Sequence, residues 1–227
     1  MKKVKTMNIN QMMEELNTLT QTDSKRIIDK INSNGPNSRG LFIDCGSNLG
    51  QGYSQFVQHF SHDHFDYILI EPNPHCKNTL EEIIARTSGN TILITKAAST
   101  SIGTVKFFGL DQDPTSQGAS ILKDHNNKYY ASSEESAIVV PCFSLSDLIS
   151  EKCLSYCAII LKLDIEGGEY QVLPDLIKNS THVKLDACYI EFHSQYMAEP
   201  EHSFYRKQEN TIRNKLSQDG VPFRIWI

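Results

Sequence analysis

The sequence predicts an α/β fold, a mostly parallel sheet covered by helices on both faces, and three observations carry that prediction. From residue 41 onward, short apolar runs alternate with amphipathic stretches: LFIDC, GYSQFVQHF, YILIE, CKNTLEEIIAR and TILITKAA. This is the strand–helix alternation of βαβ units. The first run ends in Asp44 and is followed by Gly46, Gly50 and Gly52, at the turn where such sheets pass into a helix beside a ligand. The 227 residues, 39% of them hydrophobic, supply one substantial core rather than two, so a single domain over 1–227 is expected.

The elements follow in order. Ile9, Met12, Met13, Leu16 and Leu19 recur at helical spacing, and Ile27, Ile28 and Ile31 do so again after the polar TQTDS. Two helices are therefore expected within 1–37, ended by NSNGPNSRG. Met12 and Met13 read as helix packing rather than a ligand surface. Residues 41–102 carry the first apolar runs and form a cofactor-binding half. Residues 103–141 interrupt the alternation: GTVKFFG and AIVVPC read as strands around the polar DQDPTSQGASILKDHNNKYYASSEES, an insertion of the kind that serves as a lid or substrate loop. Over 142–227 the alternation resumes with the helix SLSDLISE and the run AIILKLDIE. A helix from Gly168 to about Lys178, the run ACYIEFH, a helix near 203–216 and the terminal run FRIWI follow.

Composition excludes several classes. A net charge of −5 and a pI near 5.9 lack the basic footprint of nucleic-acid binding, and the insertion offers only Lys123 and Lys128 beside Tyr129 and Tyr130. MKKVKTMNINQMMEEL has no continuous apolar stretch, so neither a signal peptide nor a membrane span is expected and the chain reads as soluble and cytoplasmic. The six cysteines are scattered, and the close pair Cys153 and Cys157 is separated by three residues. That is no zinc or redox motif, and they read as reduced core thiols.

The glycine loop narrows the ligand. Its order is Gly46-Ser-Asn-Leu-Gly50-Gln-Gly52, not the G-x-G-x-x-G of a dinucleotide site, and it lacks the lysine of a phosphate-binding P-loop. Asp44 at the strand end suits a cofactor with an ammonium group and a positive centre, as in S-adenosylmethionine. Glu71 ends the next run, YILIEPNP, where a carboxylate can accept both hydrogen bonds of a ribose diol.

Four blocks now stand in order between residues 41 and 192: Asp44-Cys-Gly46-Ser47-Asn48-Leu-Gly50, Glu71-Pro72-Asn73-Pro, Lys96-Ala97-Ala98-Ser99, and Leu161-Lys162-Leu-Asp164-Ile-Glu166-Gly-Gly-Glu169. Together they make the chain resemble the FkbM-type family of class I S-adenosylmethionine-dependent methyltransferases. The fourth block is the most specific. The resemblance implies a Rossmann-like class I methyltransferase fold and S-adenosyl-L-methionine as cofactor. Gly46, Ser47, Asn48 and Gly50 would form the methionine loop and Glu71 would hold the ribose, while Pro72, Asn73, Ala97 and Ala98 would border ribose and adenine. The acceptor it implies is a hydroxyl of a sugar, glycan or other natural product, with residues 110–135 forming much of its wall. Methylation of RNA ribose or another nucleic-acid position ranks lower, and a non-catalytic S-adenosylmethionine-binding module is the alternative of another class. Such sheets usually end in an antiparallel pair, whereas FRIWI supplies one strand; the last antiparallel strand is then missing, and an exposed edge invites pairing with a second copy of the chain.

Methyl transfer to a hydroxyl needs alignment and removal of a proton. Lys162 and Asp164 project from one face of a predicted strand and reach its carboxyl edge with Glu166 just beyond. His193, after CYIEF, belongs at the same edge and is the first candidate for general base, with Asp164 second. The plainer alternatives are helix capping by Asp164 and Glu166 and a structural role for His193. Glu191 could join Asp164 around a divalent cation, but no spacing demands a metal and none is expected. His62-Asp63-His64 reads as a solvated loop away from the cleft.

Overall fold

The computed structural model describes residues 8–111, 113–123, 125, 133–197 and 199–226; residues 1–7 and the insertion residues Lys128, Tyr129 and Tyr130 lie outside them. The chain opens with one helix, α1 (Ile9–Ser33), begun by a capping box between Asn8 and Gln11. This corrects the expected pair of helices. TQTDS contains no glycine or proline, and its polar side chains are satisfied without breaking the helix. Thr20 and Thr22 donate to the carbonyls of Leu16 and Thr18. Ser24 donates to the His59 carbonyl, and the buried Asp23 pairs with Arg224 at 3.0 Å. The helix packs through Leu16, Ile27 and Ile31, whereas Met12 is exposed, against the expected packing role.

Next come β1 (Gly40–Cys45), α2 (Gln51–Phe56), β2 (Phe65–Ile70), α3 (Lys77–Ala85), β3 (Thr91–Ile94), β4 (Ala97–Ser99), β5 (Gly103–Phe107) and β6 (Ile138–Ser144). The second half runs α4 (Leu145–Lys152), β7 (Ala158–Leu163), α5 (Glu169–Lys178), β8 (Ala187–Ile190), α6 (Glu201–Gln218) and β9 (Phe223–Ile225). TILITKAA is two strands rather than one run, parted at an exposed Lys96 and placed in different sheets. One sheet has the order β3-β2-β1-β7-β8-β9. All of its pairs are parallel, including β9 on β8, so among the described residues this sheet has no antiparallel strand. A small sheet, β4-β6-β5, carries the insertion, with β5 antiparallel to β6.

The central strands are buried on both faces, which is why they read as unbroken apolar runs. On one face Leu41, Ile43, Leu161 and Leu163 meet Leu173 and Leu176 of α5 and Ile212 and Leu216 of α6. On the other, Phe42, Tyr67 and Tyr189 meet Phe56, Phe60 and Ile27, and Phe42 stacks on Tyr67 with centroids 5.2 Å apart. Each such ring contributes about 1.5–3 kcal/mol by leaving water. All six cysteines are free thiols, four of them buried. His62 is not solvated as expected: its ring is half-buried and meets the Tyr53 hydroxyl at 2.9 Å, although it does sit at the amino end of β2, away from the cleft. No helix among the described residues is long and apolar enough to cross a membrane.

Candidate active site

In this sheet the chain winds one way from β1 to β3 and the other way from β7 to β9, so strand order reverses between β1 and β7. A cleft belongs beyond the carboxyl ends of the strands at that point. A cavity of about 420 Å³ lies there, within the usual range for a cofactor or small ligand.

The β1–α2 turn builds one end. Gly46 has φ +79°, and a Cβ on it would stand 1.7 Å from the Asp164 carbonyl oxygen, so neither the conformation nor the space admits a side chain. Asn48 takes a left-handed φ of +44°, and its backbone N–H donates to Glu71 Oε2 at 2.8 Å, while Asn73 N–H donates to Glu71 Oε1 at 2.8 Å. Burial pushes the Glu71 carboxyl up to about 7, against the pull of those two N–H donors. Glu71, Asn48, Gly46, Pro72, Ala97 and Ala98 all line the cavity.

Four residues from the same motifs do not line it. Ser47 donates to the Asp44 carbonyl and accepts from Ile70 N–H, tying the turn to β2. Gly50, at φ +88°, starts α2 against Ile83. Asn73 donates to the Pro114 carbonyl at 2.8 Å and holds the insertion down. Asp44 is wholly buried behind the wall, its Oδ1 3.3 Å from Lys162 Nζ.

Lys162 joins the two ends. Asp44 and Lys162 are partners in the β1–β7 register, and the buried Nζ donates to the Gly46 carbonyl at 2.8 Å and lies 3.1 Å from Asp164 Oδ2. Burial alone would lower its pKa, but the Asp164 and Asp44 carboxylates outweigh it and keep the ammonium charged. Burial raises Asp44 in turn, and Lys162 opposes that shift.

The other end is acidic. Asp164 and Glu166 do not cap α5: Gly167 N–H donates to Glu169, and the cap residue Gly168 has no side-chain bond. Glu166 takes a left-handed φ of +53°, and its carboxylate faces His125 Nε2 at 3.1 Å and His193 Nε2 at 3.3 Å. Burial would raise the Glu166 carboxyl, but the two rings hold it down to about 2. His193 is buried, with Nδ1 3.1 Å from Glu169 Oε1. Burial would lower its pKa, yet Glu169 and Glu166 hold it well above the ordinary imidazole value. Asp164 Oδ1 and Glu191 Oε1 lie 3.6 and 3.7 Å from His193 Nε2. Burial, then the Asp164 charge, raises Glu191 to about 7.

Sequence reasoning named Lys162, Asp164, Glu166 and His193, and the cavity gathers all four. It missed Trp226, whose ring lies 5.8 Å from Lys162 Nζ, and Tyr196 and Gln51 in the lining. The signal for Trp226 was its position just past a terminal strand, usable once that strand is known to be parallel. The insertion contributes Ser116, Gln117, Ala119 and Ile121 to the wall.

A family model described as a methyltransferase FkbM domain matches residues 44–214. None of the curated proteins compared with the chain matches it. Among solved structures, methyltransferase FkbM from Methylobacillus flagellatus KT is similar at 16% identity with a TM-score of 0.46, over 79% of this chain and 37% of that one. The chain thus spans little more than a third of that protein's length. By the family match over most of its residues, the chain belongs to the FkbM methyltransferase family.

Proposed function

We propose that this chain is an S-adenosylmethionine-dependent methyltransferase acting on a hydroxyl group of a sugar, glycan or other natural product. The observation that carries the reading is a single cavity with two unlike ends, a glycine-lined cradle around Glu71 and a buried acidic cluster around His193. The residues fit the cofactor. Gly46 leaves the floor free of side chain, the Glu71 carboxylate faces the cavity for a ribose diol, and Ala97 and Ala98 offer small apolar surface for adenine. When bound, S-adenosylmethionine supplies a methyl carbon on a positively charged sulfur.

The chain's own residues then orient the acceptor and take its proton. The carboxylates around His193 raise its pKa well above the ordinary imidazole value, which disfavours it as the starting base and leaves that role to Asp164, kept in place through Oδ2 by Lys162. Glu169 fixes the His193 ring through Nδ1 and its backbone N–H. Ser116, Gln117, Ala119 and Ile121 of the insertion, with Tyr196, supply further wall to the same cavity.

Calorimetric titration with S-adenosylmethionine, S-adenosylhomocysteine and NAD tests the reading, with Glu71→Ala as control. Binding of the first two and its loss in the variant is the expected result, followed by an acceptor screen that begins with glycans. Binding of NAD alone, or of none of the three, would sink it.

A further inference from the structure

We propose that Asp164, Glu191 and His193 form a divalent-cation site, with Glu169 holding the His193 ring in position. This revises the sequence-based expectation of no metal. The three ligand atoms lie within 4.8 Å of one another and face the cavity.

His193 lies at the centre of the cluster. Its side chain is 1% exposed, yet Nε2 makes no hydrogen bond among the described residues. Its nearest neighbour is the Glu166 carboxylate, an ion-pair contact with Oε2 at 3.3 Å, and it also faces Asp164 Oδ1 and Glu191 Oε1 at 3.6 and 3.7 Å. The separations from Asp164 and Glu191 are too long for N–H···O bonds. They match two donors bridged by one ion, because ligands each about 2.1 Å from a metal stand at most about 4.2 Å apart. A buried imidazole nitrogen that makes no hydrogen bond is costly, and an ion between it and the Asp164 and Glu191 carboxylates removes that cost.

Support from behind is in place. A metal-ligating histidine characteristically gives its other ring N–H to a carboxylate, which fixes tautomer and ring orientation. Here Nδ1 meets Glu169 Oε1 at 3.1 Å, and the same oxygen accepts the His193 backbone N–H at 2.9 Å. Glu169 itself is wholly buried and anchored by Gly167 N–H at 2.8 Å. Charge points the same way: Asp164, Glu166, Glu169 and Glu191 crowd one imidazole, and the Lys162 ammonium reaches only Asp164 among them. Mixed imidazole and carboxylate ligands suit Mn²⁺ or a neighbouring first-row ion better than Ca²⁺.

The functional consequence rests on the transferase reading. An acceptor hydroxyl coordinated to such an ion would have a lowered proton affinity and would release its proton to solvent water as the donor's S–CH3 bond breaks and the new O–CH3 bond forms, so Asp164 would serve as ligand rather than base.

The test is calorimetric and electron-paramagnetic-resonance titration of the full chain with Mn²⁺ alone, with no acceptor present. One saturable Mn²⁺ per chain is expected, weakened at least 100-fold in Glu191→Gln and Asp164→Asn and about 10–100-fold in Glu169→Gln. Glu191→Gln, whose side chain is a quarter exposed, should keep the native melting temperature, which separates lost binding from lost folding. Protein that binds S-adenosylhomocysteine but takes up no Mn²⁺ at millimolar concentration would overturn the site and leave the transferase reading standing. Equal Mn²⁺ affinity in Glu191→Gln would overturn it as well. Mn²⁺ uptake by protein that ignores S-adenosylhomocysteine would support the site and count against the transferase reading.

Discussion

The two ends of the cavity satisfy their polar groups in different ways. Around Glu71 each carboxylate oxygen already accepts a backbone N–H, Ser47 bonds to both flanking strands, and Asn73 ties the insertion to the turn. Around His193 the carboxylates outnumber the cations near them, and the ring's Nε2 makes no hydrogen bond among the described residues. The first end is a cradle whose shape the backbone sets before a ligand arrives. The second keeps unspent electrostatic potential, which a fold tolerates only where a ligand, a proton or an ion completes it.

Three perturbations would break or sharpen this contrast. The largest effect should come from Lys162→Met, since one ammonium serves both ends and its loss leaves Asp44 buried and unpaired. A destabilisation of about 3–5 kcal/mol is expected, read as a melting-temperature fall of roughly 10 °C and partly recovered by adding Asp44→Asn. An unchanged melting temperature would mean that the two ends are not joined through Lys162.

Glu71 gives a second effect with opposite signs in two measurements. Its folded pKa of about 7 lies above the ordinary 4.5, so between those values the folded state binds the proton more tightly than the unfolded state. Its contribution to stability therefore declines as pH rises through that window. A ribose diol donates to the ionised carboxylate, so S-adenosylhomocysteine affinity should rise as pH rises through about 7. Glu71→Gln should flatten both profiles, and an affinity that rises equally in the variant would remove Glu71 from the cofactor site.

The smallest effect belongs to Ser120→Ala. The Ser120 hydroxyl donates to the Glu166 carbonyl, one of the bonds that holds the insertion against the acidic end, and its loss should cost about 0.5–1.5 kcal/mol. Faster hydrogen exchange confined to 113–123 is the expected readout; exchange unchanged there would show that the insertion is held by other contacts.

The sequence by itself determined the alternation of strands and helices, the glycine turn after β1 and the acidic residues past β2 and β7. Each of these is a local pattern: burial on both faces demands continuous apolar runs, and a turn with φ of +79° and a carbonyl in the way of a Cβ demands glycine at 46. Local pattern failed at TQTDS, where hydroxyls bonded back to the helix and α1 ran on. It failed again at TILITKAA, which pairing divided between two sheets. Only the tertiary structure decided which motif residues face the cavity, sending Asp44 behind the wall and bringing Glu191 and Trp226 to the lining. Those outcomes depend on strand order and on the parallel setting of β9, because residues distant in sequence meet at one edge only when the strands that carry them are neighbours pointing the same way.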